Sequence, residues 1–289
     1  MLTKEAFYQI LKKGSLILDG ATGSNLQKAG MPRGCCTEQW ILEHPQALLQ
    51  LQQAYIAAGS QVIYAPTFQA QPIALEKAGL AAQTERINRD LVQLSRQAAG
   101  NQAYVAGNLT TLATFTDSFD EGNFDLLVEN YRRQIVGLLD GGADLLAAET
   151  LMYPTEAEAI LTAAELEGAE TVLYTFTMQS DGSLFSGREA GPVLQSLEQA
   201  GAAAVGFNCV AADAMTAGLV SRLRRYVKGP LVCKPNAGNP VIGPDNLPHY
   251  PMHADEFAGI MADCRAMGSA ILGGCCGTDP SFIAAIQRL

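Results

Sequence analysis

Three cysteines have the types and setting that metal chemistry needs: Cys209 in the segment GFNC, and the adjacent pair Cys275-Cys276 in GGCCGT. Zinc takes soft thiolate ligands in a tetrahedron, and a catalytic zinc keeps one position open. Three cysteines supply three ligands and leave the fourth place to a substrate. Zinc with three thiolates carries a net charge of about −1, and a substrate thiolate makes it about −2. Such a centre polarises a carbonyl poorly, but it keeps an incoming thiol ionised at neutral pH with its sulphur electron-rich, the species that attacks a methyl group. No histidine base is then required. Adjacent strand residues point to opposite faces, so the pair converges on one ion only if the backbone bends there; Gly273, Gly274 and Gly277 bracket it and permit the bend. Spacing alone leaves a vicinal disulfide or simple apolar packing open, since no CxxC pair is present.

The elements that must position these residues read as an alternation of short β-rich runs and helices. Strand runs are expected at Leu16–Gly20, Gln61–Pro66, Ala103–Leu109, Leu145–Thr150, Val172–Met178, Ala204–Cys209, Leu231–Asn236 and Ala270–Cys276. Eight runs starting about 27 to 45 residues apart predict an α/β fold of the (β/α)8 type, a TIM-type barrel. The open doubly wound sheet is the competing architecture. Helices are expected at Pro45–Ala58, Thr84–Ala98, Phe124–Gly137, Thr155–Leu166 and Ala254–Met267, several followed by a Gly suited to a left-handed cap. Asp279-Pro280 marks the start of a last helix. With no low-complexity linker, residues 1–289 read as one domain. In a barrel the C-terminal strand ends converge on one mouth. Here those ends carry Asp19, Thr67, Asn108, Glu149, Cys209, Asn236 and Cys275-Cys276, a polar and sulphur-rich set over apolar strand interiors. His44, His249 and His253 fall outside them.

Composition narrows the function classes. A net charge of −10 without a basic run argues against nucleic acid and anionic membrane as partners. No stretch approaches the roughly 20 apolar residues of a membrane span, and the N-terminal segment has no signal-peptide core. A cytoplasmic protein is expected. An odd count of seven cysteines in such a chain favours metal binding or catalysis over structural disulfides. Cys233 and Cys264 read as core residues. Cys35-Cys36, in the loop MPRGCCTEQW, either covers the mouth or is an incidental exposed pair.

Taken together, LDGATGSNLQ, YAPTFQA, Glu149-Thr150, GFNC, KPNAGNP and GGCCGTDP resemble the homocysteine S-methyltransferase family, in particular the homocysteine-binding module of cobalamin-dependent methionine synthase. The resemblance spans essentially the whole chain, and GGCC with an upstream NC is its specific part. It implies a (β/α)8 barrel, zinc on Cys209, Cys275 and Cys276, and Asn236 in the fourth position until the thiol arrives. It implies Asp19 and Glu149 as holders of the homocysteine ammonium, which needs negative partners once removed from water. The carboxylate is expected on backbone N–H groups of the turn Gly20, Ala21, Thr22, Gly23 and Ser24, at a helix N-terminus. Thr67 and Phe68 are expected to line the pocket.

The methyl donor is left open. APTF lacks an asparagine common in methionine synthase modules, and Ser24 stands where threonine is usual. GGCCGT followed by Asp279-Pro280 is closer to the methionine synthase form than to the GGCCRT form. There is no DxHxxG cobalamin-binding signature, so methylcobalamin would have to arrive on a separate corrinoid protein. S-methylmethionine, a betaine-like onium compound and a methyl-folate are the other candidate donors. Trp40, Tyr64, Phe68 and Phe207 are either core and rim packing or a cage for a cationic donor. Two further readings stand beside the leading one: a different small thiol as acceptor, and a non-enzymatic zinc-binding or redox-sensing barrel, which leaves Asp19 and Glu149 unexplained.

Overall fold

A computed structural model describes residues 1–113, 123–179, 181–244 and 248–289. Its strands are β1 (Leu16–Ile17), β2 (Val62–Tyr64), β3 (Tyr104–Thr110), β4 (Leu145–Leu151), β5 (Val172–Phe176), β6 (Ala204–Ala211), β7 (Leu231–Asn236) and β8 (Ile271–Leu272). They form one parallel sheet in the order β1-β8-β7-β6-β5-β4-β3-β2. The first and last strands of that order meet through a parallel bridge between Leu18 and Val62 and through the Gln61 N–H donated to the Ile17 carbonyl at 2.8 Å. The sheet is thereby closed, and the open-sheet alternative falls away.

Helices connect successive strands in the expected places: Pro45–Ala57 and Thr84–Ala99 flank β2, while Phe124–Asp140, Pro154–Leu166 and Ala254–Ala266 precede β4, β5 and β8. Asp279 caps the last helix, Pro280–Gln287, by accepting from Ser281 N–H at 2.9 Å. Gly59, Gly100, Gly142, Gly168 and Gly268, at the helix ends, all have positive φ, where a side chain is penalised. An additional short antiparallel ribbon, Val241–Ile242 with Pro248–His249, lies between β7 and the following helix.

The barrel interior is an apolar column. Leu16, Leu18, Val62, Tyr64, Ala106, Leu145, Ala147, Leu173, Ala204, Val232 and Ile271 pack together, and Phe7 from the N-terminal helix Lys4–Leu11 joins them. Inward positions recur every second residue along a strand. One step further along, Ala106 leads to Asn108, Ala147 to Glu149 and Val232 to Lys234; Ala204 leads through Gly206 to Asn208. A buried polar layer therefore sits on top of an apolar one, which places the chemistry at the C-terminal mouth.

The last expected strand is shorter than its sequence run. Regular pairing in β8 ends at Leu272, yet the chain stays wedged between its neighbours. Gly273 N–H donates to Cys233 O at 3.1 Å, Gly274 N–H to Asp19 O at 3.0 Å and Cys275 N–H to Pro235 O at 2.7 Å. A Cβ on Gly274 would lie 2.4 Å from Thr278 Oγ1, and one on Gly273 2.8 Å from Leu18 Cβ. These two glycines permit close approach of the backbone; of the three that bracket the pair, Gly277 is the one at positive φ, +82°.

Candidate active site

Two distorted strand ends build the wall that carries Cys209. Register shifts interrupt β4 between Ala148 and Leu151, and β6 between Asn208 and Ala211. Within them Thr150 (φ 58°) and Cys209 (φ 57°) are the two non-glycine residues at positive φ among the described residues. Such a conformation costs about 1–3 kcal/mol and persists only where neighbours over-determine it. Asn208 does so for both bulges. Its Oδ1 accepts from Thr150 N–H at 2.7 Å, and its Nδ2 donates to Thr150 Oγ1 at 2.7 Å, to Glu149 Oε2 at 3.4 Å and to Cys275 Sγ at 3.9 Å. A bulge re-aims a side chain that regular alternation would point elsewhere, and Cys209 is turned in this way toward Cys275 and Cys276.

The Sγ atoms of Cys209, Cys275 and Cys276 all lie within 4.8 Å of one another. Hydrogen bonds from Cys209 and Cys275 push the Cys276 thiol well below its ordinary range, with Tyr250 adding a further one. The donor set fits a borderline-soft divalent metal with one position to spare. Asn236 is buried beside them, its Oδ1 accepting the Cys276 N–H at 3.1 Å, a bond that steadies the turn and leaves the oxygen its second lone pair.

The cysteines open onto a cavity of about 280 Å³, at the small end for ligand pockets. Asp19, Glu149, Asn108, Phe68 and the whole turn from Gly20 to Ser24 line it together with the three thiols. The turn is locked from behind: Tyr55 OH donates to Ala21 O at 2.7 Å, Asn25 Nδ2 donates to Ala21 O at 2.7 Å, and Ala21 N–H donates to Thr278 Oγ1 at 3.2 Å. Gly20 passes so close that a Cβ there would meet both Thr278 Oγ1 and Tyr55 OH at 2.7 Å.

Thr67 is placed differently from its expected position: it stands behind the wall, its hydroxyl donating to Asn108 O at 2.8 Å and accepting Asn108 N–H at 3.1 Å. The four aromatics do not form one cage. Tyr64 and Phe68 line the cavity, Phe207 is fully buried in the core, and Trp40 stacks on His44 with ring centroids 4.6 Å apart. Cys233 and Cys264 are core residues, and the exposed Cys35 donates to Pro32 O at 3.0 Å.

Charge in the cavity centres on a residue not singled out from sequence. Lys234, buried on β7, sets its Nζ 3.3 Å from Glu149 Oε2 and 4.9 Å from the centroid of the Tyr64 ring. Burial opposes its charge, but Glu149, Cys275 and Asp19 together outweigh that and hold it protonated. Burial pushes the Asp19 carboxyl up to about 7 against the pull of Lys234 and of the Tyr64 N–H. Glu149 is likewise raised by burial and pulled back by Lys234.

With this geometry described, comparison places the chain. The homocysteine S-methyltransferase family model matches residues 16–289. The chain belongs to the homocysteine S-methyltransferase family. It is 29% identical to the homocysteine S-methyltransferase of Escherichia coli over 96% of this chain and 95% of that one. It is 26% identical to the methionine synthase of Mycobacterium tuberculosis over 95% of this chain, which spans 24% of that longer protein. The homocysteine methyltransferase MmuM from Escherichia coli in its metallated form superimposes with a TM-score of 0.81 at 26% identity, covering 97% of this chain and 98% of that one. The oxidized form gives 0.80 at 27%, covering 95% of each chain.

Within this family barrel, the residues missed from sequence are Lys234, Asn208 and Glu38. Glu38 is a buried carboxylate in the cavity wall that accepts Gln69 N–H at 2.9 Å. Strand alternation was the signal for the first two, since each lies two or four residues beyond an inward apolar residue. Replacing Asn208 by Ala removes the tie between both bulges. We expect metal affinity, measured by chelator competition, to fall about 10- to 100-fold, as for other residues that orient metal ligands.

Proposed function

We propose that this protein is a zinc-dependent methyltransferase that takes homocysteine as acceptor and forms methionine. The observation that carries this is the convergence of three thiols on a cavity that also holds buried carboxylates and a locked turn. Family membership and the metallated state of the MmuM relative support the same assignment. Zinc bound by Cys209, Cys275 and Cys276 would supply the positive charge that keeps the acceptor thiol ionised near neutral pH. The remaining work falls to the chain's own residues. Apart from Ala21, whose N–H is donated to Thr278, the Gly20–Ser24 turn offers backbone N–H groups to the acceptor's carboxylate. A buried carboxylate in the cavity wall meets its ammonium, and Tyr64 and Phe68 exclude water around its methylene chain.

In the transfer itself, the acceptor sulphur forms a bond to the donor's methyl carbon while the bond from that carbon to the donor breaks, its electron pair leaving with the donor. The thiol proton is released to solvent. The donor stays unassigned among methylcobalamin on a separate corrinoid protein, S-methylmethionine, a betaine-like onium compound and a methyl-folate. No helix among the described residues is long and apolar enough to cross a membrane, and a cytoplasmic enzyme remains our reading. The test is homocysteine binding to metal-loaded protein in weakly buffered solution with a pH indicator. One proton released per chain, absent when methionine replaces homocysteine, is the expected result. Binding without proton release would remove thiol ionisation from the mechanism.

A further inference from the structure

Asp19 and Glu149 differ in what they still have to offer a ligand. Both Glu149 oxygens are engaged within the protein: Oε1 accepts from Asn108 Nδ2 at 2.9 Å, and Oε2 accepts from Lys234 Nζ at 3.3 Å and from Asn208 Nδ2 at 3.4 Å. Asp19 uses only Oδ2, on the Tyr64 N–H at 2.8 Å; its Oδ1 is buried with no partner. Asn108 repeats the pattern. The carboxylate of Glu149 fixes its amide with Nδ2 toward Glu149, and its Oδ1 is buried and without a partner. Both residues line the cavity that holds the three cysteines.

A buried acceptor left without a donor costs about 1–3 kcal/mol, and an ammonium carries three N–H donors to relieve it. At Glu149 the balance runs the other way. Lys234 already neutralises that carboxylate, so a second cation finds one free lone pair on Oε1 and meets the Lys234 charge beside it. Displacing Lys234 would leave a buried ammonium without its partner, which is strongly unfavourable. Lys234 has nowhere wet to go, with 4% of its side chain exposed.

We infer that Lys234 sets acceptor recognition by holding Glu149 from within the protein, so that an incoming ammonium is read by Asp19 Oδ1, with Asn108 Oδ1 beside it, and not by the two carboxylates jointly. Lys234 is thus a specificity-determining residue that lowers the charge the cavity presents. This rests on the amino-acid thiol acceptor proposed above. It carries a further consequence: the preference for an ammonium-bearing thiol over the same thiol without one is smaller than two free carboxylates would give, and removing the Lys234 charge increases it.

The test is calorimetric binding of homocysteine and of 4-sulfanylbutanoate, which lacks only the amino group, to metal-loaded full-length protein. Wild type, Asp19→Asn and Lys234→Met are compared by the ratio of the two affinities, which a general loss of fold or metal would not shift selectively. We expect Asp19→Asn to bring the ratio to within about threefold of one, and Lys234→Met, which frees Glu149, to raise it about tenfold, the scale of one hydrogen bond to a charged group. Lys234→Gln retains a donor to Glu149 and tests the same loss of charge should the Met variant be too unstable to purify; its ratio rises too. A ratio unchanged in Asp19→Asn, or one that falls or stays constant in both Lys234 variants, would overturn the inference. Wild type that holds metal but binds neither thiol would overturn the acceptor assignment, and this inference with it. That result is distinct from a selective change in one variant.

Discussion

The Cys275→Ser, Cys276→Ser double variant is expected to purify with close to no zinc, where wild type carries close to one ion per chain, and to lose methyl transfer altogether. Three thiols within 4.8 Å of one another are the group found among the described residues that could hold a metal ion. With two gone, Cys209 alone is left, and a single thiolate does not retain zinc against water and chelators. The fold should survive, because both cysteines sit at the mouth and the apolar column beneath does not include them. Metal analysis by mass spectrometry with far-ultraviolet circular dichroism on the same samples checks both halves. A double variant that retains stoichiometric zinc would place the metal elsewhere. Wild type that takes up no zinc when reduced and zinc-supplemented would return the pair to the disulfide reading.

Glu149→Leu is expected to lower the free energy of unfolding by about 3–5 kcal/mol, the usual cost of removing one partner from a buried ion pair. Lys234 and Glu149 are 4% and 9% exposed at their side chains, so solvent screens neither. After the change Lys234 either keeps a charge with no close partner or gives up its proton against its surroundings, and both are costly. Asp19 relieves this only in part, since it acts on Lys234 through its charge while the hydrogen bond of Lys234 goes to Glu149. Adding Lys234→Met to Glu149→Leu should recover most of the loss, because removing a buried pair as a unit is close to neutral. Urea denaturation of the two variants and wild type reads both effects. Equal stability of Glu149→Leu and wild type would show that the pair carries no charge in the folded protein.

Much of this molecule is legible in its sequence. Eight apolar runs spaced by helices, with glycines past the helix ends, are enough to favour the barrel over an open sheet, since parallel strands buried on both faces leave a continuous hydrophobic record. The bridge between Leu18 and Val62 decides closure. The convergence of strand ends follows from topology, and GFNC and GGCCGT fall at two of those ends. Helix boundaries came within a few residues because proline, glycine and capping residues act locally.

Tertiary structure decided what local signals cannot carry. The short β8 depends on contact of Gly273 and Gly274 with Leu18 and Thr278, distant in sequence or across a turn. The left-handed conformation of Cys209 depends on Asn208 reaching another strand's bulge, so alternation alone would have aimed that thiol elsewhere. Thr67 reads as a lining residue from its strand-end position, but the Asn108 backbone claims it. Above all, Lys234 lies in a segment noted for its asparagine, and a lysine ordinarily keeps its charge in water. Only closure of the barrel, which sets β4 and β7 facing one another across its mouth, puts that charge against Glu149 and leaves Asp19 the acid with a free oxygen.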